Sequence, residues 1–380
     1  MLRTFKYRLY PSKAQSIVLE QTLETCRGLY NNALAERKNA WKHEGKRVTC
    51  YEQLNNLPTL KESSSVLRRA HSQVLQDVLR RLDTAFKNFF RRVKAGEKPG
   101  YPRFKAANRF DSFTYPQFGN GVKLRENKLW LSKVGEVNTK LHREIPAGVK
   151  IKTCILRRDV DQWFACLTIE LPDPAREPRE IRSAVGVDLG IANLVALSTG
   201  ELVENPRWLK QSEQKLALEQ RRLSHKKKGS KNRGIQRLHV AKLYRKIRRQ
   251  RTDFLHKLSR KIVDSYDLIV FENLNIEQMI RHKYIGKFVA DAAWRQLMFF
   301  TRYKAEEAGA VVQFVEAKNT SQTCSECGAL VPKGLGKRVH LCPSCGLVID
   351  RDINAARNIL IKSTAGRAGR ACRSTAIAGC

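Results

Sequence analysis

Cys324-Ser325-Glu326-Cys327 and Cys342-Pro343-Ser344-Cys345, closely followed by Asp350-Arg351-Asp352-Ile353-Asn354-Ala355-Ala356-Arg357-Asn358-Ile359, form the stretch that decides how this chain folds. Fourteen residues separate the two Cys-x-x-Cys pairs, just under the usual spacing of about 15–20 at which paired knuckles surround one zinc ion. Gly328 and Gly346 follow the knuckles and permit the tight turn each needs. Four thiolates close a tetrahedral site, so zinc on Cys324, Cys327, Cys342 and Cys345 is expected to be structural rather than catalytic. His340 offers a substitute ligand, although four cysteines already suffice. Metal binding would help to fold a small module with little apolar core. The other six cysteines (Cys26, Cys50, Cys154, Cys166, Cys372 and Cys380) are scattered, which argues for a reducing compartment and against a disulfide framework.

Working outward, acids end the neighbouring predicted core elements. Asp188 lies in Val185-Gly186-Val187-Asp188-Leu189-Gly190, and Glu272 ends the apolar strand Leu268-Ile269-Val270-Phe271. Asp352 opens the Ala-rich helix after the cysteines, with Asp350 beside it. Alone, each has a structural explanation: a turn former at a strand end, or an N-cap before a helix. Together in a very basic chain they suggest phosphodiester hydrolysis with two divalent ions, for which oxygen ligands and magnesium are suited.

The charge supports that chemistry. The 380 residues carry 72 Lys and Arg against 36 Asp and Glu, a net +36, and a polyanion is the natural partner for such an excess. Residues 206–263 read as a long helical stretch broken around Lys226-Lys227-Lys228-Gly229, with twenty Lys and Arg against three acids. That density without balancing acids favours a phosphate backbone over a merely solvated face. No apolar run approaches the roughly 18–20 residues of a membrane span, and the first residues lack the apolar region of a signal peptide. A cytoplasmic location, at the nucleoid of a bacterium or archaeon, is the expectation.

In the first half, Phe5, Tyr7 and Leu9 alternate with Lys6 and Arg8, a half-exposed strand ended by Pro11. A helical pattern runs from about Ser12 to Lys94; Val74, Val78, Leu82, Phe86 and Phe89 make one face, beside Arg80, Arg81, Lys87 and Arg91. Residues 110–172 then read as short strands, so a small β-barrel interrupted by a helical insert is expected. Tyr101, Phe104, Phe110 and Tyr115, interleaved with Arg103, Lys105 and Arg109, are candidates for stacking on bases and equally for barrel core.

A strand with Gly-x-Asp-x-Gly, a strand ending Glu272-Asn273-Leu274, paired Cys-x-x-Cys knuckles, and Arg351-Asp352-x-Asn354-Ala355-Ala356-x-Asn358-Ile359, in that order, resemble the TnpB (OrfB) proteins of bacterial insertion sequences, relatives of type V CRISPR effectors. Tyr7-Arg8-Leu9-Tyr10-Pro11, Cys26-Arg27-x-x-Tyr30-Asn31 and Ala85-Phe86-Lys87-Asn88-Phe89-Phe90 extend the likeness over roughly residues 1–362.

The resemblance implies an α/β and α+β multidomain chain: an RNase H-like (RuvC) nuclease with an inserted zinc ribbon, plus an N-terminal β-barrel interrupted by a helical insert. The implied divisions are a wedge-like barrel (1–11 and 105–180), a helical recognition insert (12–104), the nuclease (181–322 and 347–362), the zinc ribbon (323–346) and a tail, 363–380, whose composition argues against order. It further implies an RNA-guided DNA endonuclease with guide RNA and target DNA as partners, two catalytic magnesium ions on Asp188, Glu272 and Asp352, and one zinc. Asp352 is preferred to Asp350 because the family's third acid stands two residues before Asn-Ala-Ala, which leaves Asp350 as a helix cap. A reader of a short DNA motif is expected around Ser72, Gln73, Gln76 and Asp77. A guide-directed DNA-binding regulator that does not cut and a strand-exchanging transposase are the alternatives. Three retained acids weigh against the first, and the lack of a His-hydrophobic-His pair against one class of the second.

Overall fold

The computed structural model describes residues 1–380 except Asn108, 173–178, Leu335 and 376–380, with side chains as far as Ser363. The chain forms two compact units, Met1–Asp173 and Pro174–Cys380. No helix among the described residues is long and apolar enough to cross a membrane.

In the first unit, β1 (Leu2–Tyr10) is followed by α1 (Lys13–Glu44), α2 (Cys50–Ser63), α3 (Ser65–Arg68) and α4 (Ser72–Lys94). The strands β2 (Ser112–Tyr115), β3 (Val122–Arg125), β4 (Lys128–Leu131), β5 (Gly135–Lys140), β6 (Lys150–Asp159) and β7 (Gln162–Glu170) come next. The alternation in β1 is realised: Phe5, Tyr7 and Leu9 are buried. Ser12 and Gln15 form a capping box that starts α1, and Gly45 stops it at a φ of 63°. One face of α4 (Val74, Leu75, Val78, Leu79, Leu82) packs with Leu19, Leu23, Leu29 and Leu34 of α1 and with the strands in a single core.

The seven strands run in the order β2-β6-β7-β1-β5-β4-β3. No pairing among the described residues joins β2 to β3, so the hydrogen bonding defines an open half-barrel where the sequence led us to expect a barrel. Both edge strands are four residues long and offer few ladder bonds for closure. Phe110 and Tyr115 belong to this core, at 8% and 2% exposure, which removes them from the candidates for base stacking.

In the second unit, β8 (Ala184–Leu189), β9 (Asn193–Leu197) and β10 (Leu202–Glu204) precede α5 (Trp208–Gln211), α6 (Glu213–Ser224) and α7 (Lys231–Ser265). Then come β11 (Leu268–Glu272), α8 (Ile276–Arg281), α9 (Gly286–Ala292), α10 (Trp294–Ala308) and β12 (Val311–Val315). A hairpin of β13 (Val339–Leu341) and β14 (Val348–Asp350) leads into α11 (Arg351–Thr375). The backbone is thus helical as far as Thr375, beyond the start of the tail that composition set at 363. Residues 376–380 lie outside the described residues.

The five-stranded sheet has the order β10-β9-β8-β11-β12. The pairs β8–β9 and β9–β10 are antiparallel, and β8–β11 and β11–β12 are parallel. Because side chains alternate along a strand, Val185, Val187, Ile269 and Phe271 face α7 and α10, in a core with Leu255, Ile262, Leu297 and Phe300. Leu268 and Val270 take the opposite face, against Ile359 of α11. Gly186 shares that face, and a Cβ there would come within 2.0 Å of the Ala356 carbonyl oxygen. With no side chain at 186 and only methyls at Ala355 and Ala356, α11 lies directly on β8.

Candidate metal centres

The same parity places the acids. Asp188 follows Gly186 by two residues and Glu272 follows Val270 by two, so both point to the α11 side of the sheet. Val187 pairs with Phe271 across the parallel strands, which sets the two acids at neighbouring strand ends. Asp352 sits in the first turn of α11, which the glycine contact holds against β8. Glu272 and Asp352 are each 7% exposed.

Asp188 feels both neighbours. Burial, then the charges of Glu272 and Asp352, push its carboxyl up to about 8, against a smaller opposing pull from Arg351 and the Leu189 N–H. Burial also raises Glu272, offset in part by a hydrogen bond from Thr320. Carboxylates gathered in this way resist simultaneous ionisation. A divalent cation would reverse that cost, so the donor set fits an oxygen-ligated ion such as magnesium.

Asp350 has other work. Its Oδ1 accepts the backbone N–H of Asp352 at 2.8 Å and of Ile353 at 3.3 Å, which caps α11. Arg338 extends Nη1 to 3.5 Å from Asp352 Oδ2. Around the sheet end, Trp294 Nε1 donates to the Gly190 carbonyl at 3.2 Å.

The four cysteines converge. The Sγ atoms of Cys324, Cys327, Cys342 and Cys345 all lie within 4.8 Å of one another. The separations Cys324–Cys345 and Cys327–Cys342 are 3.6 and 3.5 Å, near the edge of about 3.8 Å that a tetrahedron with Zn–S bonds of about 2.3 Å requires. The knuckles repeat each other: Gly328 N–H bonds Cys324 O at 3.0 Å and Gly346 N–H bonds Cys342 O at 2.9 Å. Both glycines have a φ of 76°, a left-handed turn that a side chain would strain. His340 is outside the quartet; it is fully buried with Nδ1 against Lys333 Nζ.

Two residues at the acids were not found from the sequence. Thr320 donates its hydroxyl to Glu272 Oε1, and Arg338 reaches Asp352 from the chain just before β13. Their closeness in sequence to the cysteine pairs was the available signal, but Thr and Arg carry no distinctive spacing. On the other hand the four cysteines meet in one compact cluster, and Asp188, Glu272 and Asp352 lie on the α11 side of the sheet, near enough for the charges of Glu272 and Asp352 to act on Asp188.

The Cas12f1 chain in a cryo-EM structure of the Cas12f1–sgRNA–target DNA complex matches this fold with a TM-score of 0.60, covering 94% of this chain and 98% of its own at 14% identity. The fold is therefore that of the compact type V CRISPR effectors. Family profiles described as "Probable transposase" (OrfB_IS605), "Cas12f1-like, TNB domain" and "Helix-turn-helix domain" match residues 166–283, 294–359 and 1–46. In the last range the chain forms one strand and one unbroken helix, β1 and α1. Two relatives bear the name "Putative RNA-guided DNA endonuclease". One, from Streptomyces pristinaespiralis, is 36% identical over 97% of this chain and 90% of its own length. The other, InsQ from Escherichia coli (strain K12), is 31% identical over 98% and 94%. The chain belongs to the TnpB (OrfB) family.

Proposed function

We propose that this chain is an RNA-guided DNA endonuclease that hydrolyses phosphodiester bonds at Asp188, Glu272 and Asp352. The observation that supports this reading is the placement of three carboxylates on the α11 side of the sheet, where burial and then the charges of Glu272 and Asp352 push Asp188 up to about 8. Divalent ions held by these acids would activate water and stabilise the leaving oxygen. The chain's own contribution is to hold the ligands: parity aims Asp188 and Glu272, the Gly186 contact brings Asp352 to them, and the Thr320 hydroxyl fixes Glu272. Cys324, Cys327, Cys342 and Cys345 would hold a zinc ion that shapes the ribbon and leaves no open coordination position.

The names of the relatives support guide RNA and target DNA as partners. Base pairing then supplies sequence specificity, and the protein holds the duplex through its backbone. The basic α6 and α7 suit phosphates. Tyr101 and Phe104, 46% and 53% exposed, remain candidates for stacking. The half-barrel would serve as the wedge-like domain (1–11 and 105–180), with 12–104 as the recognition insert, 181–322 and 347–362 as the nuclease, and 323–346 as the ribbon. For the short adjacent DNA motif, Gln76 is the better reader of the four expected. With Lys61 and Arg68 it lines a cleft of 300 Å³, whereas Ser72 accepts from Lys61 Nζ at 2.6 Å, Asp77 is paired with Arg81 at 2.7 Å and Gln73 with Gln117 at 2.6 Å.

The test is plasmid cleavage by the protein with its copurified RNA, in magnesium. Asp188→Ala, Glu272→Ala and Asp352→Ala are each expected to lower cleavage by about 10³-fold or more, with target binding within about twofold. Robust cutting by Asp188→Ala would sink the site. Full target occupancy without cutting by the wild type would favour the regulator instead.

A further inference from the structure

Two asparagines on α11 are buried and hydrogen-bonded to one short segment. Asn354, with no exposed surface, donates Nδ2 to the Thr323 carbonyl at 2.8 Å and accepts the Ser325 N–H at 2.9 Å through Oδ1. One turn on, Asn358 gives both Nδ2 hydrogens, to the carbonyls of Thr320 at 2.8 Å and Thr323 at 2.6 Å. Residues four apart share a helix face, so both amides grip the short segment 320–325. That segment has two functional ends. Cys324 is the first cysteine of the quartet, and Thr320 donates its hydroxyl to Glu272. Burial of amides is costly without partners, and here every bond is made to this one segment. The helix that supplies the clamp also supplies Asp352, two residues before Asn354.

We propose that Asn354, Asn358 and Thr320 are positioning residues that transmit the shape of the cysteine knuckle to the acid cluster. Zinc orders Cys324 and its neighbours; the asparagines fix that segment to α11; Thr320 then sets the rotamer of Glu272 relative to Asp352. Loss of zinc therefore loosens the acid site without touching any of its ligands. The inference rests on the reading of Asp188, Glu272 and Asp352 as a divalent-ion site.

Binding of Mn²⁺ to the full-length, zinc-loaded protein, followed by electron paramagnetic resonance without RNA or DNA, tests it. Removing an outer hydrogen-bond partner of a metal ligand typically weakens binding about 10- to 100-fold. Thr320→Val is expected to do so with zinc content and melting temperature unchanged, and Thr320→Ser to restore affinity to within about threefold. Ejecting zinc from the wild type with an organomercurial is expected to weaken Mn²⁺ binding in step with zinc release, an arm that needs no variant. If Asp188→Ala abolishes Mn²⁺ binding while Thr320→Val and zinc ejection leave it within about twofold, the clamp is overturned and the acid site stands. If Asp188→Ala itself leaves Mn²⁺ binding intact, the acid site is wrong and the clamp falls with it.

Discussion

Asp188 bears a cost that burial imposes and its acidic neighbours increase. Its carboxyl rises from 3.8 to about 8, so between those values the folded chain keeps a proton that the unfolded chain has released. This group's contribution to stability is therefore fully present below pH 3.8, is lost as pH rises to about 8, and changes no further above it. Asp188→Asn removes the penalty. In zinc-loaded protein without added magnesium, its melting temperature should exceed that of the wild type by about 5 °C or more at pH 8.5, with a smaller gain at pH 5.5. A gain independent of pH would show that the folded chain does not hold the Asp188 carboxyl protonated as described. At this scale the sequence was most readable for cysteine, because ligands in two short knuckles have local spacing. Thr320 and Arg338 were unreadable, since their partners Glu272 and Asp352 reach them only through the fold.

At the scale of elements, the closeness of α11 to β8 decides whether Asp352 arrives. Gly186→Ala would force a methyl within 2.0 Å of a backbone oxygen that has no rotamer in which to retreat. We expect a loss of about 3 kcal/mol or more in urea denaturation, at the upper end of overpacking, together with loss of cleavage. Gly234→Ala is the contrast. It lies in α7 with nothing within 4 Å of the added carbon, and should stabilise by about 0.5–1 kcal/mol; equal effects from both substitutions would refute the contact. The strands ending in Asp188 and Glu272 were legible from their apolar runs, and counting by two along them already puts both acids on one face. The partner helix on that face was not legible, because only the folded chain shows that Gly186 admits Ala356.

For the whole molecule, charge is the dominant property. A net +36 predicts that binding of guide RNA weakens steeply with salt. The logarithm of affinity should fall against the logarithm of salt concentration with a slope of about −5 or steeper, by counterion release. A slope near zero in a filter-binding titration from low to physiological salt would contradict phosphate contacts by α6 and α7. Family, architecture and basicity were readable because motif order and composition span the chain. Closure of the first sheet was not, since pairing between four-residue edges has no signature in local alternation. Nor was the fate of Phe110 and Tyr115, which depends on how α1 and α4 cover the strands. The cysteine hairpin lies between β12 and α11, and that placement sets an order of events during synthesis. A ribosome delivers Asp188 and Glu272 long before Asp352, with both knuckles emerging in between. With the site as proposed, a nascent chain would become capable of cutting only after it had the chance to acquire zinc, and translation itself would delay the arming of the nuclease.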